Sequence, residues 1–289
     1  MNALRTSALA RALTLAAPLL LALLAVHHVD AYVLEPAFGA GVVARTALRL
    51  IAGAAMLALY AACVRILERR PASELGRRSV GLLAPGAAIG TSLFCLVAAF
   101  LLLAGHARCS EPVLGWTALP ILAQAAFAAA GEEVVFRGAV YRVLDERWGT
   151  GVALVLSATL FGALHASNEG ATPAGVAGVA LEAGVLLGLA YSLTSSLWLP
   201  IGIHLGWNFA EGGLFGTTVS GGTSSGILTL ALSGGPLWTG GRFGPEASVP
   251  AMAICLAASC AMVVLVVRSG RWRRSLPSAA FRRAHPAPR

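Results

Sequence analysis

The chain has 289 residues, of which 57% are hydrophobic and only 12% are charged. Soluble domains carry about 25% charged residues, so this composition excludes an ordinary soluble protein and predicts a polytopic membrane protein. The net charge of +8 comes from arginines without any lysine. The arginines flank apolar segments and form no continuous basic face, so we expect membrane lipids as partners and no nucleic acid.

Eight apolar segments approach the roughly 20 residues that a membrane-spanning helix needs. They therefore predict an all-α polytopic bundle of about eight transmembrane helices. The first segment is interpreted as an uncleaved anchor rather than a secretory signal, because its apolar run is long. In chain order the segments cover 8–28, 45–65, 80–105, 113–142, 151–167, 173–193, 196–211 and 248–267.

The arginines concentrate in alternate connections. They follow the second and fourth spans and fill the tail from 268 to 289, whereas the connections 29–44, 106–112, 166–172 and 212–247 hold only Arg108 and Arg242. Because cytoplasmic segments carry the excess of basic residues, both termini are predicted to be cytoplasmic, in the plasma (inner) membrane.

The composition also divides the chain into four parts. Residues 1–111 hold the N-terminal transmembrane helices and their loops, and 112–211 form a core that carries the polar motifs. Residues 212–247 are rich in Gly, Ser and Thr and are predicted to form a flexible external loop. Residues 248–289 comprise the last span and a basic cytoplasmic tail.

Two adjacent acids, Glu132 and Glu133, directly follow the twenty uncharged residues 112–131. A carboxylate at membrane depth costs at least roughly 2.5–3.5 kcal/mol, so the pair needs a function or a partner. Glu133 and Arg137 are four residues apart and predict a helical ion pair. Glu132 lies about 100° further round the helix and would face a different neighbour. The alternative is an ion-pair cluster at the membrane interface.

Two further pairs share this four-residue spacing: Phe161 with His165, and His204 with Asn208. A hairpin about residues 148–151 would place Glu132 level with His165. At 1.5 Å per residue, Glu132 lies about 15 Å and His204 roughly 12–13 Å from the arginine-rich side. Headgroup contacts by His165, or helix-joining hydrogen bonds by His204, remain alternatives. The matching depths favour one shared site.

The available groups restrict the chemistry. Without lysine there is no Ser–Lys pair, the sequence has no HExxH, and the only aspartates, Asp30 and Asp145, lie away from mid-span. Carboxylate, imidazole and amide suit hydrolysis by an activated water, with a glutamate as general base. Two imidazoles and a carboxylate would also hold zinc, and an amide would stabilise an oxyanion. The same groups would serve a proton-coupled transporter.

The segments EEVVFR (132–137), FGALH (161–165) and HLGWN (204–208) resemble the EExxxR, FxxxH and HxxxN motifs of the CPBP family. This family of intramembrane proteases includes the CAAX prenyl endopeptidases and bacterial Abi-type proteins. The similarity covers roughly residues 115–210. It implies a helical bundle with a site that opens towards the cytoplasmic leaflet.

By resemblance, Glu132 and His165 would activate the water, while His204 and Asn208 would stabilise the oxyanion. In a metalloprotease interpretation, His165, His204 and Glu132 would hold zinc. Phe161 and Arg137 would have structural roles and would orient the site. Glu133 would be one of the catalytic residues. Glu182, a further acid at membrane depth, lies outside the motifs and is expected to be structural.

The resulting hypothesis is an intramembrane endopeptidase of the CAAX type. It would cleave a membrane-associated protein or peptide, for example a prenylated CAAX protein, near the cytoplasmic leaflet. One rival hypothesis is a non-enzymatic scaffold or Abi-like immunity protein that keeps the motifs for folding. The other is an ion-coupled transporter, which offers no reason for an Asn one turn after a His.

Overall fold

The computed structural model describes residues 7–29, 41–110, 112, 118–222 and 225–275. Residues 113–117, which begin the predicted fourth span, and 276–289 of the predicted basic tail lie outside them. Seven helices within the described ranges are long and apolar enough to cross a membrane. They are α1 (Ala8–Val29), α2 (Val42–Glu68), α3 (Arg77–Leu103), α4 (Ala118–Trp148), α5 (Thr150–Ser167), α6 (Pro173–Thr194) and α9 (Val249–Arg268).

The remaining predicted span, 196–211, forms a shorter helix. This helix, α7, runs over Trp198–Asn208 and continues as a π-helical turn over Phe209–Leu214. A four-residue helix α8 (Pro236–Thr239) precedes α9, and strands β1 (Ala107–Cys109) and β2 (Leu230–Leu232) pair antiparallel. The polytopic helical bundle is therefore confirmed.

Helices α4 and α6 also contain π-helical turns, over Val134–Tyr141 and Ala180–Gly184 respectively. A π-turn bonds each N–H to the carbonyl five residues back, which changes the direction of the side chains and carbonyls around it. Such turns are rare and occur frequently at functional sites. The π-turn of α4 contains Arg137 and directly follows Glu133, and that of α7 directly follows Asn208, whereas a further π-turn in α2 (Val64–Glu68) holds no motif residue.

Helices α3 and α7 pack backbone against backbone through glycines. A Cβ added to Gly90 would lie 1.9 Å from the carbonyl oxygen of Ile203, and one added to Gly206 would lie 2.1 Å from that of Ala87. Contacts this short exclude any side chain at either position. The close approach holds the middle of α7, which includes His204, against α3.

An ion-pair network joins the helices at the arginine-rich end of the bundle. Arg142 of α4 contacts Glu68 at 2.9 Å and Glu146 at 3.0 Å. Arg11 of α1 contacts the same two acids at 2.5 and 2.6 Å. The shared partners tie α1, α2 and α4 together at this end.

Glu74, in a short 3₁₀ turn (Ser73–Leu75) before α3, extends this network. It accepts hydrogen bonds from Arg70 at 2.8 and 2.9 Å and from the Tyr60 hydroxyl. Burial alone would raise the pKa of Glu74, but these bonds and the charge of Arg142 lower it to about 2. Glu74 therefore stays ionised at neutral pH and keeps the network charged.

The segment 212–247, which its composition predicts to be a flexible external loop, makes specific contacts through its described residues. Its strand β2 pairs with β1, Gly221 donates a backbone hydrogen bond of 2.7 Å to Phe243, and Glu246 is buried. Gly221 and Gly240 have φ values of +84° and +74°, which favour glycine. The glycines thus form tight turns in a segment that packs onto the bundle.

Candidate active site

Glu133 is fully buried and contacts two cationic or potentially cationic partners through one oxygen. Its Oε1 accepts a hydrogen bond of 2.9 Å from Arg137 and lies 3.1 Å from Nδ1 of His204. The predicted ion pair between Glu133 and Arg137 is therefore present. Its link to His204, on a helix 71 residues away in sequence, is a feature that the local spacing did not predict.

Arg137 contacts three other parts of the buried site in addition to Glu133. Its guanidinium donates to the carbonyl oxygens of Ala183 and Gly184 at 2.9 and 3.2 Å, and its central carbon lies 4.5 Å from the centre of the Phe161 ring. Both carbonyls belong to the π-turn of α6. The irregular helix thus supplies two acceptors for a fully buried guanidinium, whose Nε has no hydrogen-bond partner among the described residues.

Glu132 faces a different direction, as its position on the helix predicts. Its side chain lines a cavity, and its Oε2 lies 4.0 Å from Nε2 of His204. This separation is longer than a direct hydrogen bond and short enough for one water to contact both groups. The two adjacent acids thus contact the two nitrogens of one imidazole in different ways.

His165 lies at the end of the regular part of α5, with Nδ1 2.9 Å from the carbonyl oxygen of Phe161. A carbonyl can only accept, so Nδ1 carries the hydrogen, and Nε2 is the acceptor in the neutral ring. The Phe161 ring lies 4.9 Å from the ring of His165 and 6.2 Å from that of His204. Phe161 therefore packs against Arg137 and both histidines.

One cavity of about 980 Å³ brings the motif residues together. Glu132, Phe161, His165, His204 and Asn208 all line it. The predicted shared site is therefore present as an arrangement of side chains. What each residue does in a reaction stays a prediction.

The position of the cavity bears on the side from which the site opens. Most of its lining residues come from the halves of the helices that lie away from the ion-pair network, together with residues 167–169 and 219–222. The charge distribution predicts that these connections lie on the side opposite the arginine-rich end. The leaflet towards which the site opens stays a prediction.

Three acids that line the cavity were not predicted as site residues: Glu169, which is exposed and pairs with Arg242, and two buried acids. Glu182, expected to be structural, belongs to the π-turn of α6 and is 3% exposed. Glu246 comes from the segment predicted to be flexible and accepts a hydrogen bond of 2.6 Å from Ser220. The presence of Glu182 within an apolar run was a usable signal. Nothing in the sequence around Glu246 indicated that it would be buried.

The proposed zinc ligands do not form a metal-binding group in this arrangement. Across the described ranges, no three His, Cys, Asp or Glu side chains are placed to hold a metal ion. Nδ1 of each histidine is already engaged, by Phe161 in one case and by Glu133 in the other. Zinc therefore stays a prediction.

Comparisons with known proteins identify the same segment that carries the motifs. No curated protein and no solved structure matches the chain. A family model does match, over residues 114–210, about a third of the chain. This range contains all three motifs and every predicted site residue from Glu132 to Asn208. The match is to the family described as Type II CAAX prenyl endopeptidase Rce1-like, which confirms the resemblance to the CAAX-type intramembrane proteases.

Proposed function

We propose that the protein is an intramembrane endopeptidase in which Glu132 activates a water for attack on a peptide bond. The observation that carries the proposal is the division between the two acids. Glu133 is buried against Arg137 and His204, whereas Glu132 faces the cavity 4.0 Å from the other nitrogen of His204. One carboxylate is thus committed to holding the site, and the other is available for proton transfer.

In the proposed reaction, Glu132 removes a proton from water as the water oxygen bonds to the scissile carbonyl carbon. The carbonyl oxygen becomes an oxyanion, and collapse of this intermediate breaks the C–N bond. Glu132 then returns the proton to the departing nitrogen, so that atoms and charges balance. His165, whose Nε2 is an acceptor in the neutral ring, assists by orienting the water.

His204 and Asn208 would stabilise the oxyanion. In its imidazolium form, His204 would donate Nδ1–H to the Glu133 carboxylate and Nε2–H to the developing charge. Asn208, half-buried on the same cavity wall, would supply an amide donor. Removing one such donor typically lowers kcat by about 10²–10³-fold.

The substrate proposal follows from the position of the cavity. At the level of the family, the chemistry is that of a CAAX-type protease, which acts on a membrane-associated protein. We propose that the substrate reaches this chain from the end formed by residues 167–169 and 219–222. With the arginine-rich end in the cytoplasm, that end faces the opposite leaflet. Lipid-anchored or membrane-embedded segments exposed there fit better than cytoplasmic prenylated tails.

The test uses protein in detergent, where both ends are accessible. Purified protein is incubated with a prenylated CAAX peptide and with a library of acylated peptides, and the products are identified by mass spectrometry. We expect Glu132→Gln to lower cleavage by at least about 10²-fold, because the amide cannot accept the proton. Glu146→Gln, which removes an acid from the ion-pair network, is the matched control and retains cleavage.

Two outcomes would contradict this assignment. If the Glu132→Gln variant cleaves the peptides at the unchanged rate, Glu132 is not the general base. Absence of cleavage, together with a cellular phenotype that is lost only when variants lower protein abundance, favours the non-enzymatic scaffold. Metal analysis of the purified protein, before and after chelation, tests the zinc prediction separately.

A further inference from the structure

A second group of acids lies on the wall of the cavity, outside the three motifs. Glu182 comes from the π-turn of α6, and Glu246 from the 3₁₀ turn Pro245–Ala247 that precedes α9. Both line the cavity, although they are only 3% and 7% exposed. Glu211, fully buried in the π-turn of α7, is a third acid close enough to interact electrostatically with both.

Glu182 differs from its neighbours because its carboxyl group has no polar side-chain partner among the described residues. Neither of its carboxylate oxygens receives a hydrogen bond from a nitrogen or oxygen of the described residues. Its immediate neighbour is the thiol of Cys255 on α9. By contrast, Ser220 donates to Glu246 at 2.6 Å, and the Trp207 indole donates to Glu211 at 3.1 Å.

No ion pair within 4.0 Å compensates these acids in the part of the chain that the structure describes. The arginines Arg45 and Arg49 line the cavity from α2, and the acids line it from α6 and the segment before α9. A buried carboxylate without a partner is costly, and a cationic group with hydrogen-bond donors would remove that cost. A metal ion is a poor candidate, because no group of three ligands is assembled among these residues.

We propose that Glu182, assisted by Glu246, binds a cationic side chain of the substrate, an arginine or a lysine, beside the scissile bond. This inference rests on the proposed endopeptidase function and specifies its substrate. The cavity of about 980 Å³ has room for several residues of a peptide in addition to the reacting bond. Glu182 is thereby a specificity-determining residue, whereas Glu132 carries out the chemistry.

The experiment measures binding independently of cleavage. Every protein carries Glu132→Gln, and the probes are fluorescent, palmitoylated octapeptides of Ala and Leu with one arginine at a varied position. Each probe has a partner with citrulline, the uncharged isostere of arginine. Charge-assisted hydrogen bonds predict that the best arginine peptide binds at least about tenfold more tightly than its citrulline partner in fluorescence anisotropy.

Adding Glu182→Gln should abolish this preference, because it weakens the binding of the arginine peptide and leaves the binding of the citrulline peptide unchanged. Glu182→Asp retains the charge and should retain part of the preference, which separates lost charge from lost folding. Glu146→Gln, at the other end of the bundle, is the control and should leave the preference unchanged. Thermal unfolding of every variant verifies that it is folded.

The outcomes distinguish this inference from the proposed function. Equal binding of arginine and citrulline peptides, no binding of either, or a preference that survives Glu182→Gln would each overturn the acidic subsite. If the chain with Glu132 intact cleaves arginine and citrulline peptides equally well, the endopeptidase function is supported and the acidic subsite is not. If the chain binds arginine peptides selectively but cleaves none of the peptides, the acidic subsite is supported and the endopeptidase function is not.

Discussion

Arg137 is the residue on which the buried side of the site depends. It neutralises Glu133, satisfies two carbonyls of the π-turn in α6 and packs over Phe161. Glu133 in turn holds Nδ1 of His204. A substitution of Arg137 would therefore affect His204 indirectly, through Glu133.

We expect Arg137→Met to destabilise the protein by about 3–5 kcal/mol, because it leaves the Glu133 carboxylate buried and uncompensated. The measurement is thermal unfolding in detergent. Adding Glu133→Gln removes the orphaned charge and should recover part of the lost stability, while cleavage stays low because His204 is no longer held. A double variant no more stable than Arg137→Met would show that the ion pair is not the cause.

At this scale the sequence predicted part of the site. The four-residue spacing in α4 predicted the pair of Glu133 with Arg137 and the separate direction of Glu132. It could not predict that Glu133 holds His204, because the rotation of α7 about its own axis depends on tertiary packing. Glu246 was missed for a related reason, since no periodic pattern surrounds a residue in a turn-rich segment.

Among the elements, the contact between α3 and α7 decides where His204 lies. Gly90 meets the carbonyl of Ile203, the residue before His204, with no space for a side chain. A methyl group there would push the two helices apart. The displacement would be largest next to the imidazole.

Gly90→Ala is expected to cost about 1–3 kcal/mol through overpacking and to lower kcat more than it raises KM. Gly81→Ala is the matched control, because a Cβ at Gly81 meets nothing within 4 Å. Thermal unfolding and peptide cleavage are compared for both variants. If Gly90→Ala is as stable and active as Gly81→Ala, the contact does not position His204.

Long apolar runs predicted the helices well, because about 20 apolar residues cross a bilayer wherever they occur. They also indicated that the seventh span, 196–211, would be short, but they did not predict that it would end in a π-turn. A π-turn differs from an α-turn by one hydrogen-bond shift, so its formation depends on local partners such as those of Arg137 rather than on composition.

The whole molecule has two dissimilar ends. Ion pairs among Arg11, Glu68, Arg142 and Glu146 join the helices at one end, and the cavity occupies the half nearer to the other. The arginine distribution predicts that the first end faces the cytoplasm. The orientation decides which substrates can reach Glu132.

Cys109 provides a direct test of orientation, because it is exposed on β1 at the cavity end. In intact cells, a membrane-impermeant maleimide should modify Cys109, and Cys109→Ser should remove that signal. Arg268→Cys in the Cys109→Ser protein places the reporter at the other end and should react only after the cells are opened. The reverse pattern would mean that the cavity faces the cytoplasm.

Glu246 and Ser220 lie outside residues 114–210, the range that the family model matches. The cavity wall thus combines residues within the matched range, among them the proposed catalytic groups, with residues outside it. A chimera that receives its 212–247 segment from another protein that matches the same family model should consequently keep its hydrolytic step and change the peptides that it accepts.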